Sequence, residues 1–277
     1  MLQIGKTNHL KITDTLPYGV YLSDEQQNQV LMPNAHLPAN AKQGDWLDVF
    51  VYHDADGQLV ATSTQAKGEL GQCVYLNVVG VKPIGAFLDW GLDKDLFVPR
   101  NEQESIMQEG RSYVVYIYQD RQTGRIAASS KLHNYLHEES LDFQPRQKVE
   151  LLISARTDLG YKAVINGTHL GLLFKDEVFK PVYIGQTLPG YIKNIREDGK
   201  IDLCFQFTDQ AARSDLTSQI IAHLQQNNGV SELTDKSDAK AIYKQFNVSK
   251  NAYKKALGAL YKQQRIQLGK TQISLIK

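Results

Sequence analysis

Three sets of glycines recur at almost constant intervals between residues 19 and 199. Gly19, Gly85 and Gly160 each begin an alternating apolar segment. Two further sets follow at nearly the same offsets, namely Gly44, Gly110, Gly185 and Gly57, Gly124, Gly199. The interval is 66 to 67 residues between the first two copies and 75 between the second and third. Because self-similarity at a fixed period marks repeated units, this stretch predicts three copies of one small β unit.

The second copy shows the unit most clearly. Its apolar residues alternate with period two, which indicates half-buried strands. The predicted strands are 74–78, 85–88, 96–99, 113–118 and 125–129. Five short strands, with an irregular connection over 101–109 between the third and fourth, predict the Greek-key barrel of an OB-fold.

The last quarter of the chain changes its apolar period from two to 3.6, which predicts helices and a new domain. A first helix ends near Gly229, a second begins near Ser237, and Ser249 precedes a third over 250–263. The second helix is expected to bury Ala241, Ile242 and Phe246. Two strands, 265–268 and 271–276, then close across a Gly269-Lys270 turn, so the pattern predicts a winged helix-turn-helix.

The predicted fold is mainly β, with three tandem OB-fold barrels followed by an α+β winged helix-turn-helix domain. A short helix and linker are expected within 131–147, where Leu132, Tyr135 and Leu136 have helical spacing. The predicted domains are 1–65, 66–135, 146–209 and 210–277.

Charge is distributed unevenly along the chain. Residues 1–66 carry 3 basic and 7 acidic side chains, and residues 67–145 carry 8 and 11. Residues 146–209 carry 9 basic and 8 acidic side chains, and residues 210–277 carry 11 and 4. The net charge of the last domain is therefore +7, against +1 for the whole chain. Such a concentration of positive charge favours a polyanion as partner, although a solvated surface is the alternative.

The second copy carries a specific motif: Gly71, Gly85-Ala86-Phe87, Asp120, Gly124-Arg125-Ile126, Ser129 and Lys131. In this order the residues resemble the S1-type RNA-binding domain; the first copy matches in part and the third weakly. Three such barrels, the strand endings 31–33 and 96–99, and a basic helical module together resemble the conserved virulence factor B family of bacteria. The resemblance spans essentially the whole chain and implies a regulator of gene expression acting on RNA.

S1-type domains stack bases on exposed aromatic side chains while basic residues follow the backbone. Phe87 and Tyr161 are the expected stacking residues, and the lysines of the third helix and the basic residues of the wing are expected to hold phosphates. The predicted RNA-binding residues are Tyr18, Tyr21, Phe87, Arg125, Tyr161, Lys162, Lys250, Lys254, Lys255, Arg265 and Lys270.

Enzyme signatures are missing from the sequence. There is no glycine-rich phosphate loop, Gly-x-Ser-x-Gly or Cys-x-x-Cys, and His133 and His137 form a histidine pair at helical spacing without a carboxylate cluster. We therefore expect no catalytic residues, metal, cofactor or small-molecule substrate. No segment approaches about 18 apolar residues. The N-terminus does not resemble a secretory signal, so a cytoplasmic protein without a membrane partner and with reduced Cys73 and Cys204 is expected.

Single-stranded RNA is the predicted partner, and two alternatives stay open. One is a DNA-binding transcription regulator that uses the winged helix, with the barrels as protein contacts. The predicted third helix has no arginine, the residue that base reading in the major groove favours. The other alternative is a ribosome or protein-interaction adaptor.

Overall fold

The computed structural model describes residues 1–139, 142–207 and 210–276, with residues 210–214 described by their backbone alone. The chain divides into two compact units, Met1–Leu136 and His137–Lys277. Residue 209, the predicted end of the third barrel, lies outside the described residues, as do residues 140 and 141 of the predicted linker.

The first unit begins with a closed five-stranded barrel whose strands are hydrogen-bonded in the order β1-β2-β3-β5-β4. Alternating apolar residues point into it, among them Leu10 and Ile12 from the first strand and Val20 and Leu22 from the second. The strands are β1 (Lys6–Leu16), β2 (Gly19–Ser23), β3 (Gln29–Pro33), β4 (Trp46–His53) and β5 (Leu59–Thr62).

The second barrel repeats this plan. Its hydrogen-bonded order is β10-β9-β6-β7-β8. The two edge strands, β8 and β10, contact each other, so the sheet is nearly closed into a barrel. A single 3-10 turn follows the third strand of each barrel in this unit, at Asn34–His36 and Arg100–Glu102. The strands are β6 (Cys73–Lys82), β7 (Gly85–Leu88), β8 (Leu96–Pro99), β9 (Ser112–Gln119) and β10 (Ile126–Ser129).

The first two barrels share apolar packing. Phe50, Tyr52 and Val60 of the first barrel belong to the core cluster of the second, where the Phe50 ring meets the edge of Trp90 at 5.3 Å between centroids. The Trp90 indole nitrogen donates a hydrogen bond to the Gly68 carbonyl oxygen at 3.0 Å. Burial of several aromatic side chains between the barrels explains why both lie in one compact unit.

The second unit begins with a third closed barrel, ordered β11-β12-β13-β15-β14 like the first. Its third strand is again followed by a 3-10 turn, at Lys175–Glu177. The strands are β11 (Lys148–Arg156), β12 (Gly160–Ile165), β13 (His169–Phe174), β14 (Thr187–Ile195) and β15 (Ile201–Cys204). The predicted mainly β fold of three five-stranded, OB-like barrels is thus confirmed.

A winged-helix domain follows and has its own apolar core. Asp238 and Ser249 cap the second and third helices by accepting hydrogen bonds from backbone N–H groups two and three residues ahead. The predicted burial of Ile242 and Phe246 is confirmed, whereas Ala241 is exposed. The elements are α1 (Gln210–Gln226), β16 (Val230–Ser231), α2 (Ala239–Phe246), α3 (Lys250–Lys262), β17 (Ile266–Leu268) and β18 (Ile273–Leu275).

The prediction of a short helix within 131–147 is wrong. The structure has a 3-10 turn at Leu132–Asn134, and Tyr135 packs its ring on Tyr116 at 4.8 Å between centroids. Leu132 and Leu136 are buried. The segment up to Leu136 is therefore part of the first compact unit, because its side chains pack on the second barrel.

The repeated glycine that begins the second strand of each barrel is required by close packing. A Cβ at Gly85 would lie 2.2 Å from the Val98 carbonyl oxygen of β8. The corresponding distances to the neighbouring strand are 2.4 Å at Gly19 and 2.0 Å at Gly160. Since real Cβ atoms do not approach a backbone oxygen this closely, each barrel needs glycine at this position.

We predict that Gly85→Ala lowers the free energy of unfolding of the first unit by about 1–3 kcal/mol, the usual cost of overpacking. Urea unfolding monitored by tryptophan fluorescence measures it. Gly80→Ala is the matched control, since no described atom lies within 4 Å of a Cβ placed there. Its unfolding free energy is expected to stay within about 0.5 kcal/mol of the parent, and equal midpoints for the two variants would contradict the packing argument.

Candidate nucleic-acid interface

Each barrel exposes a large apolar side chain in the turn just before the repeated glycine. The exposed fractions are 59% for Tyr18, 65% for Ile84 and 61% for Leu159. The carbonyl oxygen of each turn residue accepts a hydrogen bond from the backbone N–H that follows the third strand, at 3.0–3.1 Å. The turn is therefore fixed beside the outer surface of the second and third strands, which we call the barrel face.

Cross-strand register defines the next outward position on each barrel face. Two residues after the repeated glycine, the directly opposed pairs are Tyr21–Leu31, Phe87–Phe97 and Lys162–Leu172. Side chains of successive strand residues point to opposite surfaces, so these pairs point outward while the intervening residues point to the core.

The second barrel has an aromatic pair on its face. The rings of Phe87 and Phe97 lie 5.3 Å apart between centroids, and the Lys82 ammonium lies 5.2 Å from the Phe87 centroid. Phe87 was expected from the sequence whereas Phe97 was not, although the position of Phe97 opposite Phe87 on the third strand was a usable signal.

The first barrel places Tyr18 and Tyr21 on the same face. Leu31 stands where the second barrel has Phe97. Only 3 basic side chains are present in residues 1–66, so this face combines aromatic groups with little positive charge.

The third barrel has Lys162 where the second has Phe87. Tyr161 lies one residue earlier, opposite Leu173, and packs against the barrel core. The aromatic ring on this face is Phe174, with the Arg196 guanidinium 5.4 Å from its centroid. Arg196 also forms an ion pair with Asp202, at 2.7 Å between Nη2 and Oδ1. The structure thus places Lys162 on the barrel face and Tyr161 toward the core.

Arg125 lies at the junction between the first two barrels and not on a barrel face. Its Nη2 atom would be 2.7 Å from a Cβ at Gly57 of the first barrel. Lys94 joins the same junction, where its ammonium donates hydrogen bonds to the carbonyl oxygens of His53 and Asp54 at 3.0 and 2.7 Å. Burial, and then the positive charges of Lys94 and Arg125, lower the pKa of His53. Arg125 therefore contributes to contact between barrels.

The third helix of the winged-helix domain has one buried and one basic side. Its buried residues are Ala252, Tyr253, Ala256, Leu257 and Leu260. Lys254, Lys255 and Lys262 are exposed on the other side. Lys250 differs from them, because its ammonium donates a hydrogen bond to the Lys236 carbonyl oxygen at 3.2 Å. We call the exposed side, defined by Lys254, Lys255, Gly258 and Lys262, the lysine face.

The wing is the hairpin formed by β17 and β18. Its turn is closed by a hydrogen bond from the Gly269 N–H to the Gln272 carbonyl oxygen at 2.9 Å. Arg265 and Lys270 are both exposed, one before the first strand and one in the turn. The wing therefore adds two cations to a domain that already carries the lysine face.

The described residues contain no group of three or more His, Cys, Asp or Glu side chains arranged to hold a metal ion. His133 lies near Glu104, at 3.8 Å between Nδ1 and Oε2. Both thiols are free, and burial raises the pKa of Cys73 to about 12 and of Cys204 to about 11. Among the described helices, none combines the length and apolar character that a membrane crossing requires.

These features define a multidomain nucleic-acid-binding protein. An S1 domain model matches residues 4–64 and 70–131, and a CvfB-like winged helix domain model matches residues 218–275. The chain therefore combines S1 domains with a CvfB-like winged helix domain. Both are in general non-catalytic nucleic-acid-binding domains.

Two curated relatives extend over most of the chain. YitL of Bacillus subtilis strain 168 is 24% identical over 273 residues, covering 95% of this chain and 90% of the relative. Conserved virulence factor B of Staphylococcus aureus strain N315 is 24% identical over 249 residues, covering 84% and 80%. The predicted resemblance to conserved virulence factor B is confirmed.

A solved structure is also similar along the whole chain. It is the crystal structure of a multidomain protein with nucleic acid binding domains from Streptococcus pneumoniae TIGR4. The two chains are 20% identical, with 99% of this chain and 98% of that chain covered, and the TM-score is 0.42.

Gly258 interrupts the lysine face without a packing reason, since no described atom lies within 4 Å of a Cβ placed there. We predict that Gly258→Ala raises the free energy of unfolding of this domain by about 0.5–1 kcal/mol, the difference in helix propensity. Thermal unfolding measures it. Gly229→Ala is the control and is expected to destabilise, because Gly229 has φ +82°. A loss of stability in Gly258→Ala would show that the lysine face is packed.

Proposed function

We propose that this chain is a non-catalytic, cytoplasmic RNA-binding protein that regulates gene expression by capturing single-stranded RNA. The observation that carries the proposal is the half-buried Phe87–Phe97 pair, which points outward beside Lys82 on the face of an S1 domain. Base stacking on an aromatic side chain is worth about 1–3 kcal/mol per base and needs bases that are not already stacked in a duplex.

Positive charge in the second unit supplies the backbone contacts. Lys162 occupies the face of the third barrel, and Lys254, Lys255, Arg265 and Lys270 are exposed in the winged-helix domain. Cations at these positions neutralise phosphates without reading sequence. In this mechanism Tyr18 and Tyr21 supply further stacking groups, while Arg125, Lys250 and Tyr161 act in packing.

The proposal includes four domains, 1–65, 66–135, 146–209 and 210–277, that each make a modest contact. Linked contacts strengthen one another through effective concentration, so that weak single domains are compatible with useful affinity for a long strand. Low sequence specificity is expected, because stacking tolerates every base and α3 has no arginine for bidentate base contacts.

We predict that Phe87→Leu weakens binding of single-stranded RNA by about 1–3 kcal/mol, because leucine keeps apolar area but cannot stack on a base. Fluorescence anisotropy of the full chain with labelled RNA measures the change. Tyr75→Leu is the matched control, since Tyr75 is an exposed aromatic residue of the same barrel on β6, 44% accessible and paired with β9. Equal losses for the two variants would remove stacking from the proposal.

We predict that the double variant Lys254→Ala, Lys255→Ala reduces the slope of log affinity against log salt by about 1.4, or about 0.7 for each single-strand phosphate that is no longer neutralised. Because alanine has a high helix propensity, the unfolding midpoint of the double variant is expected to equal that of the parent protein. Lys42→Ala, an exposed lysine of the acidic first barrel, is expected to leave the slope unchanged. Tighter binding to duplex DNA than to RNA would favour transcriptional regulation instead, and no binding to either would favour a protein adaptor.

A further inference from the structure

The second barrel has a groove whose lining includes neither the Phe87–Phe97 pair nor Lys82. It has a volume of about 810 Å³, runs along β9 and reaches Pro99 at the end of β8. Tyr116 and Tyr118 alternate on β9 with the core residues Val115 and Ile117, so both tyrosines point outward. We call this feature the tyrosine groove.

Tyr135 completes the tyrosine groove from the segment after the barrel. Its ring lies 4.8 Å from Tyr116 and 5.0 Å from Tyr118 between centroids. Its hydroxyl donates a hydrogen bond to Glu102 Oε2 at 3.3 Å. This packing holds three aromatic rings against one another beside a carboxylate.

The charges of the tyrosine groove favour a cation. Glu102 and Asp120 are both among its lining residues, and Arg121 is the one basic residue of that lining. Asp120 accepts hydrogen bonds from the backbone N–H and the hydroxyl of Thr123, both at 2.8 Å, which hold its pKa below the usual range. Two carboxylates beside aromatic rings repel phosphates and attract a positively charged group.

We propose that the tyrosine groove binds an arginine-containing peptide segment of a protein partner. A planar guanidinium stacks on tyrosine and forms forked hydrogen bonds with a carboxylate, which an ammonium cannot do. The exposed amides of Asn101 and Asn134 in the same lining can hydrogen-bond an extended peptide backbone. The inference goes beyond the proposed RNA binding, because it assigns a protein partner to a groove that does not include the Phe87–Phe97 pair.

The test uses the full chain and a fluorescein-labelled peptide of alternating glycine and arginine. A peptide with citrulline in place of arginine has the same shape without the charge. The double variant Glu102→Gln, Asp120→Asn removes both carboxylate charges while keeping amide oxygens as acceptors. We expect it to bind the arginine peptide at least about tenfold more weakly, as loss of charge-assisted hydrogen bonds implies. Glu109→Gln is the control, an exposed carboxylate of the same barrel outside the groove lining.

A second variant, Tyr118→Leu, distinguishes peptide binding in the groove from RNA binding. The proposal expects weaker peptide binding with unchanged affinity for single-stranded RNA, and unfolding midpoints verify the fold of each variant. The proposal is overturned if the citrulline peptide binds as tightly as the arginine peptide, or if Glu109→Gln matches the double variant. If Tyr118→Leu weakens RNA binding and leaves peptide binding unchanged, the groove binds RNA and the proposal is overturned as well.

Discussion

The close approach of the second strand of each barrel to the third is the constraint on which the rest of the structure depends. Gly19, Gly85 and Gly160 permit it because a Cβ would collide with the carbonyl oxygen of the neighbouring strand. The contact fixes the register, and register determines which side chains point outward. The phenylalanine pair of the second barrel is therefore a consequence of packing: with Gly85 opposite Pro99, Phe87 must stand opposite Phe97.

The same constraint explains how far the sequence could predict the site. Period-two alternation and the recurring glycines predicted three barrels, whereas Phe87 was expected as a stacking residue from the resemblance to S1-type domains. Tyr161 follows its glycine by one residue and Phe87 follows its own by two, so in strands of period two they point to opposite surfaces. Counting from the glycine identifies Lys162 as the outward residue. The spacing from the glycine was present in the sequence, but Tyr161 was expected to stack on bases because it is aromatic.

Contacts between distant segments were beyond such reasoning. Arg125 was expected to bind RNA, yet its guanidinium lies against Gly57 because the first two barrels pack together through Phe50 and Trp90. Tyr135 had helical spacing with its neighbours, but stacking on Tyr116 favours a 3-10 turn followed by packing onto the barrel. In both cases long-range aromatic burial outweighs a local preference, and no periodicity encodes which segments meet.

Charge in this chain has to be considered surface by surface. Residues 67–145 carry 8 basic and 11 acidic side chains, a net charge that would argue against RNA binding by the second barrel. Screening limits the reach of exposed charges to about 8 Å at physiological salt, so each surface responds mainly to its own residues. Lys82 lies beside the phenylalanine pair, whereas Glu102 and Asp120 lie beside the tyrosines. The two proposals for this barrel, a polyanion beside Lys82 and a cationic peptide beside Glu102 and Asp120, are therefore compatible, because the aromatic groups are alike and the neighbouring charges are opposite.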